Sequence, residues 1–221
     1  ALVKVSGIKD FYSYRDGWKR LSSSLKKTKR VGILEPPPVK IKNLNFYVNP
    51  AKRELKNKLK RHRAEIDFID IRPVISEQRQ IKQAVEIEQI KKAIDISSSA
   101  IKHVTKNINK YKNEFEIEAD LDMIFRRSGA SGHAFPPIVA SGRSATQIHD
   151  FSNSKKLNKQ DLLLLDIGAE VNNYSADIAR TLAISQASSR QRDIINTVKD
   201  VHSYAVGIVK PGLSFYDFET K

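Results

Sequence analysis

Two stretches in the second half of the chain carry apolar residues at helical spacing. The first runs from Ile87 to Val104 and the second from Ile117 to Phe125, with Gly129 shortly beyond it. Intervals of three and four residues place such side chains on one face of a helix, and glycine commonly follows a helix end. The pattern therefore predicts two amphipathic helices, the second of which ends before Gly129.

A third helix is predicted near the end of the chain. Ser188 and Gln191 have the spacing of a capping box, in which each side chain bonds the backbone N–H of the other residue. Apolar residues at helical spacing follow, and Pro211-Gly212 ends the pattern. Ser214 offers the start of a further helix.

The first third of the chain has a different pattern. Residues 30–34 are typical of a short strand, and residues 66–71 alternate apolar and acidic side chains, as a strand with one exposed face does. Between them, Asn49-Pro50 predicts a helix start, with the helix running to about Arg63. Strand, helix and strand predict a small α/β unit, whereas residues 1–29 give no pattern that we can assign.

The most apolar stretch, residues 162–184, is predicted to form a β-hairpin. Asn172-Asn173 lies at its centre, and asparagine tolerates the positive φ that a two-residue type I′ turn requires. This turn places Val171 opposite Tyr174 and sets the pairing of all residues further from the turn.

Two aspartates within this hairpin need an explanation, because a buried carboxylate is costly without a compensating partner. The register places Gly168 opposite Asp177, and Asp166 shares a strand face with Gly168. The two carboxylates are therefore diagonal neighbours, roughly 7–8 Å apart at the backbone. They either hold divalent cations, which favour oxygen ligands, or are satisfied by Arg180 and backbone amides.

Composition narrows the function classes. The chain has no cysteine, which excludes a disulfide framework, a thiolate zinc site and a cysteine nucleophile, and suits a reducing cytoplasm, the location we expect. The longest apolar run, Leu162–Leu165, is far too short to cross a membrane.

The net charge of +14 is concentrated in the first third of the chain, where residues 1–80 hold 20 basic and 8 acidic residues, a balance of +12. Basic patches attract polyanions, and residues 52–63 are the densest part. No aromatic residue interleaves with that run to stack on bases. A solvated helix face is therefore favoured over a nucleic-acid site.

The segment LLLLDIGAEVNNYSADIARTL, residues 162–182, resembles a known family signature. It matches the D-x-G … Y-x-x-D-x-x-R-T pattern of pita-bread metallopeptidases, specifically the Xaa-Pro aminopeptidase (aminopeptidase P) and Xaa-Pro dipeptidase branch. Four further segments resemble that branch in the same order: IKQAVEIEQIKKAIDIS, FRRSGASGHAFPPIVASG, ATQIHDFSN and SSRQRDIINTVKDVHSYAVGIVKPGLSFYD. The resemblance extends over residues 75–221.

The resemblance implies a site. Asp166 and Asp177 correspond to ligands of two divalent metal ions, for which Mn is the first expectation and Zn or Co the alternatives. His149 corresponds to the histidine beside the substrate amide, where it steadies the tetrahedral intermediate or its proton transfers. The remaining histidines are expected to be ordinary polar residues: His62, His103, His133 and His202. His202 lies on a predicted helix with apolar neighbours and has no counterpart among the family's ligands.

The resemblance also implies an α/β fold with two parts. Residues 1–75 correspond to part of an N-terminal domain, and residues 76–221 to the first half of a pita-bread catalytic domain. The implied activity is metal-dependent release of the N-terminal residue from peptides with proline second. A histidine and two glutamates that complete the family's metal site have no counterpart after Asp177. We therefore expect this chain to be a fragment that is inactive alone.

Two alternatives stay open beside the peptidase. One is a non-catalytic pita-bread protein that binds partners or acts as a chaperone through its basic N-terminal region. The other is a creatinase-like amidinohydrolase. The presence of His149, Asp166 and Asp177 favours the peptidase, because a binding module has no need of them. We expect a peptide as the partner, neither nucleic acid nor a membrane, and leave a homodimer open.

Overall fold

The computed structural model describes residues 7–34 and 50–220, which form two compact units. The described residues up to Lys82 form the first unit, and those from Gln83 onward form the second. The expected mixture of helices and strands is confirmed. The assignment of these units to the two predicted domains stays a prediction.

The first unit contains the predicted strand, helix and strand, together with two helices that the pattern did not predict. Its elements in chain order are α1 (Tyr14–Lys27), β1 (Arg30–Ile33), α2 (Ala51–His62), β2 (Asp67–Asp70) and α3 (Arg72–Gln80). The two strands pair in parallel, with Arg30 opposite Asp67. Leu25, Leu59 and Ile66 form a small buried core.

The start of α2 differs from the expectation. Pro50 is the residue that flanks the helix, and it makes no side-chain capping bond, while Asn49 lies outside the described residues. α1 has a clearer start, because the Ser13 hydroxyl accepts a hydrogen bond from the Asp16 N–H at 3.1 Å. This cap was the local signal for the missed helix.

Aromatic residues of α1 pack against the basic helix α2. The Trp18 ring stacks on His62, with centroids 5.9 Å apart, and the Lys58 Nζ lies 3.8 Å from the centroid of the Trp18 ring. Tyr14 contributes a second ring 5.0 Å from the same Nζ. Residues 52–63 thus contain no Phe, Trp or Tyr, but Trp18 and Tyr14 of α1 pack against them in the folded unit. The cation–π contacts help to hold the two helices together.

The second unit contains four helices and six strands among its described residues. The helices are α4 (Ala84–Asn107), α5 (Glu114–Arg127), α6 (Ser189–Ile208) and α7 (Phe215–Glu219). The strands are β3 (Gly132–His133), β4 (Ile138–Ser141), β5 (Leu162–Ile167), β6 (Ala169–Val171), β7 (Tyr174–Ser175) and β8 (Ile178–Ala183). They form two antiparallel sheets with the orders β4-β5-β8 and β3-β6-β7.

The main core lies between α4, α5 and one face of β5. Val104, Leu121 and Leu165 are fully buried there. Ser97 of α4 reaches into this core, where its hydroxyl donates to the Ala93 carbonyl at 2.8 Å and accepts from the Ala169 N–H at 2.9 Å. The helix is therefore joined to the hairpin by a buried polar contact as well as by apolar packing.

The three predicted helices of this unit are confirmed, and Gly129 follows the second with a φ of 85°. Ser188 and Gln191 form the predicted capping box at the start of α6. Most apolar residues of α6 are nevertheless exposed, including Ile194, Val198 and Val201, whereas Ile195, Ala205 and Ile208 are half-buried. None of the described helices is long and apolar enough to cross a membrane.

Candidate active site

The hairpin has the register that the sequence predicted. Val171 pairs with Tyr174, and Asp166 pairs with Ala179. Both residues of the turn, Asn172-Asn173, have positive φ, at 50° and 66°. The type I′ turn therefore sets the strand pairing up to the first aspartate.

The hairpin is also tied to α4 through its turn. The Tyr174 hydroxyl donates to Glu86 Oε1 at 2.8 Å, and the Asn172 side-chain amide donates to Gln89 Oε1 at 2.9 Å. These bonds orient the turn from a helix that precedes it by more than eighty residues.

Burial along β5 explains how an apolar strand tolerates an aspartate. Leu163, Leu165 and Ile167 are fully buried, whereas the residues between them, including Asp166, are half-buried on the opposite face. Asp177, just before β8, is exposed. The acids therefore lie outside the core, on the side of the hairpin that the core does not cover.

The two carboxyl groups lie close together. Burial raises the pKa of Asp166, and the negative charge of Asp177 and a hydrogen bond with that side chain raise it further. The charge of His149 acts on Asp166 in the opposite direction. Asp177 and His149 are thus both near enough for their charges to act on Asp166, and the roles of all three residues stay predictions.

Arg180 does not compensate the pair. Its Nη1 donates to the Ala179 carbonyl at 2.6 Å, and no hydrogen bond or ion pair links it to either aspartate within the part of the chain that the structure describes. The alternative in which Arg180 satisfies both acids is therefore not supported.

The donor set fits part of a metal site. Carboxylate oxygens are ligands for hard divalent cations, and two like-charged groups held together favour a cation between them. Two aspartates offer at most about four oxygens, fewer than two such ions need. Across residues 7–34 and 50–220, no cluster of three or more His, Cys, Asp or Glu residues could hold a metal ion.

His149 lies on the connection between β4 and β5. It is exposed, has a φ of 58°, and its ring stacks on that of Phe151 with centroids 5.8 Å apart. A left-handed backbone is uncommon for a residue other than glycine, and such residues concentrate at functional sites. His149 shares this backbone region with Asn153 of the same connection and with the turn residues Asn172 and Asn173.

The sequence did not reveal what holds this connection. Glu114, the first residue of α5, is buried and accepts hydrogen bonds from both ends of the loop. An acidic residue in the first turn of a helix usually only complements the helix dipole, so no local signal marked it.

The other four histidines lie in different surroundings. His62 stacks on Trp18, and His103 Nε2 lies 3.4 Å from Asp120. His202 is exposed on α6. The ring of His133 packs on Phe125, with centroids 4.8 Å apart, and its buried Nδ1 has no hydrogen-bond partner among the described residues.

Burial lowers the pKa of His133 from 6.5, against the opposing charges of Asp122 and Glu118. The unfolded chain therefore takes up this proton more readily than the folded chain, and stability falls as the pH drops below about 6.5. Because the ring is only half-buried, we expect a loss of at most about 1 kcal/mol between pH 7.5 and 5.5. Urea unfolding at both pH values checks this: His133→Phe should remove the loss, and His202→Gln should retain it.

A comparison with protein-family models matches residues 88–221 to "Metallopeptidase family M24". The chain belongs to this family. Sequence relatives of the M24 chain include the Xaa-Pro dipeptidase of Pyrococcus furiosus, which is 32% identical over 154 residues. That match covers 70% of this chain and 44% of the relative.

Solved structures similar to the M24 chain include the X-Pro aminopeptidase of Thermotoga maritima, with 28% identity and a TM-score of 0.75. The match covers 93% of this chain and 54% of that one. The prolidase of Pyrococcus horikoshii OT3 is similar as well, with 26% identity and a TM-score of 0.76, covering 91% of this chain and 54% of that one. The M24 chain thus spans about half the length of these relatives.

Proposed function

We propose that this M24 chain supplies part of the active site of a metal-dependent peptidase that releases the N-terminal residue from peptides with proline in the second position. The relatives' names support this substrate class, since they include an Xaa-Pro dipeptidase and an X-Pro aminopeptidase. The observation that carries the proposal is the pairing of the hairpin, which sets Asp166 opposite Ala179, two residues from Asp177, with His149 near enough for its charge to act on Asp166.

Each of the three residues has a proposed role. Asp166 and Asp177 would hold divalent cations through their carboxylate oxygens, with Mn as the first choice and Zn or Co as alternatives. When bound, such ions supply an activated water and polarise the scissile carbonyl. His149 would hydrogen-bond the substrate amide at the rim and steady the oxyanion or its proton transfers.

The ligand count suggests how much of the activity this chain carries. Two aspartates leave most coordination positions of two ions to water or to other residues. We therefore expect the 221-residue chain to bind Mn²⁺ weakly and to hydrolyse no Xaa-Pro peptide, whereas a form spanning the length of its relatives would be activated by Mn²⁺.

The test measures release of the first residue from Ala-Pro and Arg-Pro peptides with and without added Mn²⁺, using the short chain and the longer form. An Ala-Ala peptide is the control for proline specificity, and creatine is the control for an amidinohydrolase. Turnover by the short chain would refute our ligand count. If the longer form cleaves creatine, or cleaves neither peptide, the proposed function is wrong.

A further inference from the structure

We propose that Glu114 is a positioning residue for His149, because its buried carboxylate accepts hydrogen bonds from both ends of the loop that carries this histidine. The catalytic meaning of the inference rests on the proposed function, whereas the positional claim does not. The loop comprises residues 142–161, between β4 and β5.

Four hydrogen bonds end on the Glu114 carboxylate. At the start of the loop, Oε1 accepts from the Ser141 N–H at 2.7 Å and from the Ser141 hydroxyl at 2.8 Å. The fourth and longest bond, at 3.3 Å, comes from the Ser144 hydroxyl, which shares its proton with the Ser141 carbonyl 2.8 Å away. At the far end, Oε2 accepts from the Lys155 N–H at 2.8 Å. One side chain thus bridges positions on both sides of His149.

The same helix supplies a second anchor one turn further along. Asn153 is buried, and its side-chain amide donates to Glu118 Oε2 at 3.0 Å and to the Pro137 carbonyl at 2.9 Å. Its Oδ1 accepts from the Val139 N–H at 2.8 Å. The chain is therefore fixed to α5 four residues after His149 as well as five residues before it.

Backbone hydrogen bonds also hold the far end of the loop to the start of α5. The Glu114 N–H donates to the Lys155 carbonyl at 2.9 Å, and the Leu157 N–H donates to the Lys112 carbonyl at 2.8 Å. The tip of the loop is held less, since Ile148 is 89% exposed and His149 is exposed beside it. The loop is thus anchored at its base on both sides and exposed at its tip, where His149 lies.

This arrangement points to positioning rather than to simple packing. A carboxylate at 1% exposure is costly unless all its acceptors are used, and an apolar residue would fill the same space at no such cost. The carboxylate instead fixes the position of the loop relative to α5. Its two oxygens hold backbone and hydroxyl donors that lie 27 to 41 residues further along the chain. Because the tip has few contacts, the geometry of the base determines where His149 lies.

The positional claim can be tested without peptidase activity. The chain has no cysteine, so spin labels can be attached to Ile148→Cys at the tip and to Lys102→Cys, an exposed position on α4 of the same unit. Electron double resonance then measures the distribution of distances between them. We expect a single narrow distribution, which Glu114→Gln broadens at least about twofold, because an amide nitrogen cannot accept and one end of the loop loses its partner.

Leu121→Ala is the matched control. Leu121 is fully buried on the same helix, so its truncation destabilises the unit without removing a hydrogen bond to the loop, and its distance distribution should stay narrow. An unchanged distribution in Glu114→Gln, or equal broadening in Leu121→Ala, would overturn the proposal. If Glu114→Gln does not fold, the double variant Ser141→Ala and Ser144→Ala decides by the same criterion.

Kinetics of the longer, active form test the catalytic consequence. A small displacement of a catalytic group costs roughly a hundredfold in rate, so Glu114→Gln should lower kcat by about that factor and leave KM within about twofold. A rise in KM with kcat unchanged would contradict positioning. If the longer form has no peptidase activity, the proposed function fails, while the distance measurements still decide the positional claim.

Discussion

Gly168→Ala is expected to destabilise the second unit by about 3 kcal/mol or more. A Cβ at Gly168 would lie 1.8 Å from the Ala176 carbonyl oxygen and 2.7 Å from its carbon, which are backbone atoms. The strands cannot separate without straining the bond from the Ala176 N–H to the Ala169 carbonyl, 3.0 Å long. Overpacking against backbone is at the costly end of such substitutions.

Urea unfolding measures the loss, and Gly207→Ala is the matched control. Gly207 lies in α6, where no atom of the described residues comes within 4 Å of an added Cβ, so the same substitution there should stabilise the unit by about 0.5–1 kcal/mol. A Gly168→Ala protein as stable as the parent would show that the hairpin strands are not held this closely. The glycine of the D-x-G motif would then need another explanation.

If the proposed function holds, Asp166→Asn should lower the activity of the longer form roughly a thousandfold, because the proposed loss of a metal ligand costs several kcal/mol of transition-state stabilisation. The same substitution should leave stability at pH 7 unchanged or raise it by at most about 1 kcal/mol. A large loss of function with no loss of stability distinguishes a ligand from a residue that only maintains the fold.

The pH dependence of stability has a definite sign. The folded pKa of Asp166 is raised above its ordinary 3.8 by burial and by Asp177, so the folded state holds this proton more tightly than the unfolded state. Stability therefore falls as the pH rises from about 3.8 through the folded pKa, and Asp166→Asn removes that fall.

Asp150 provides the opposite case for comparison. Hydrogen bonds from the Ser152 hydroxyl and N–H lower the pKa of Asp150. Its contribution to the stability of the folded state is therefore present above the ordinary pKa of 3.8 and is lost as the pH falls through the lowered pKa. Urea unfolding from pH 3 to 7 measures both effects. As the pH rises, the free energy of unfolding of Asp166→Asn should increase relative to that of the parent, and that of Asp150→Asn should decrease relative to it. If Asp166→Asn lost stability at neutral pH, the two carboxylates would not repel each other as described.

The sequence alone determined the features that depend on neighbouring residues. The helices α4, α5 and α6 follow from apolar spacing and from capping residues such as Ser188. The register of the hairpin follows from Asn172-Asn173, because a two-residue turn leaves only one pairing for the strands it joins. That register is sufficient to put Asp166 and Asp177 near each other.

Only the tertiary structure decided which distant surfaces meet. Glu114 bonds residues 27 to 41 positions away, and Trp18 meets His62 across 44 positions; neither contact has a local signal. The spacing along α6 predicted a helix correctly, but could not show that most of its apolar side is exposed in this structure. Periodicity specifies which side of an element is apolar, whereas the partner of that side depends on how the whole chain packs, since packing requires complementary shapes from segments far apart in sequence.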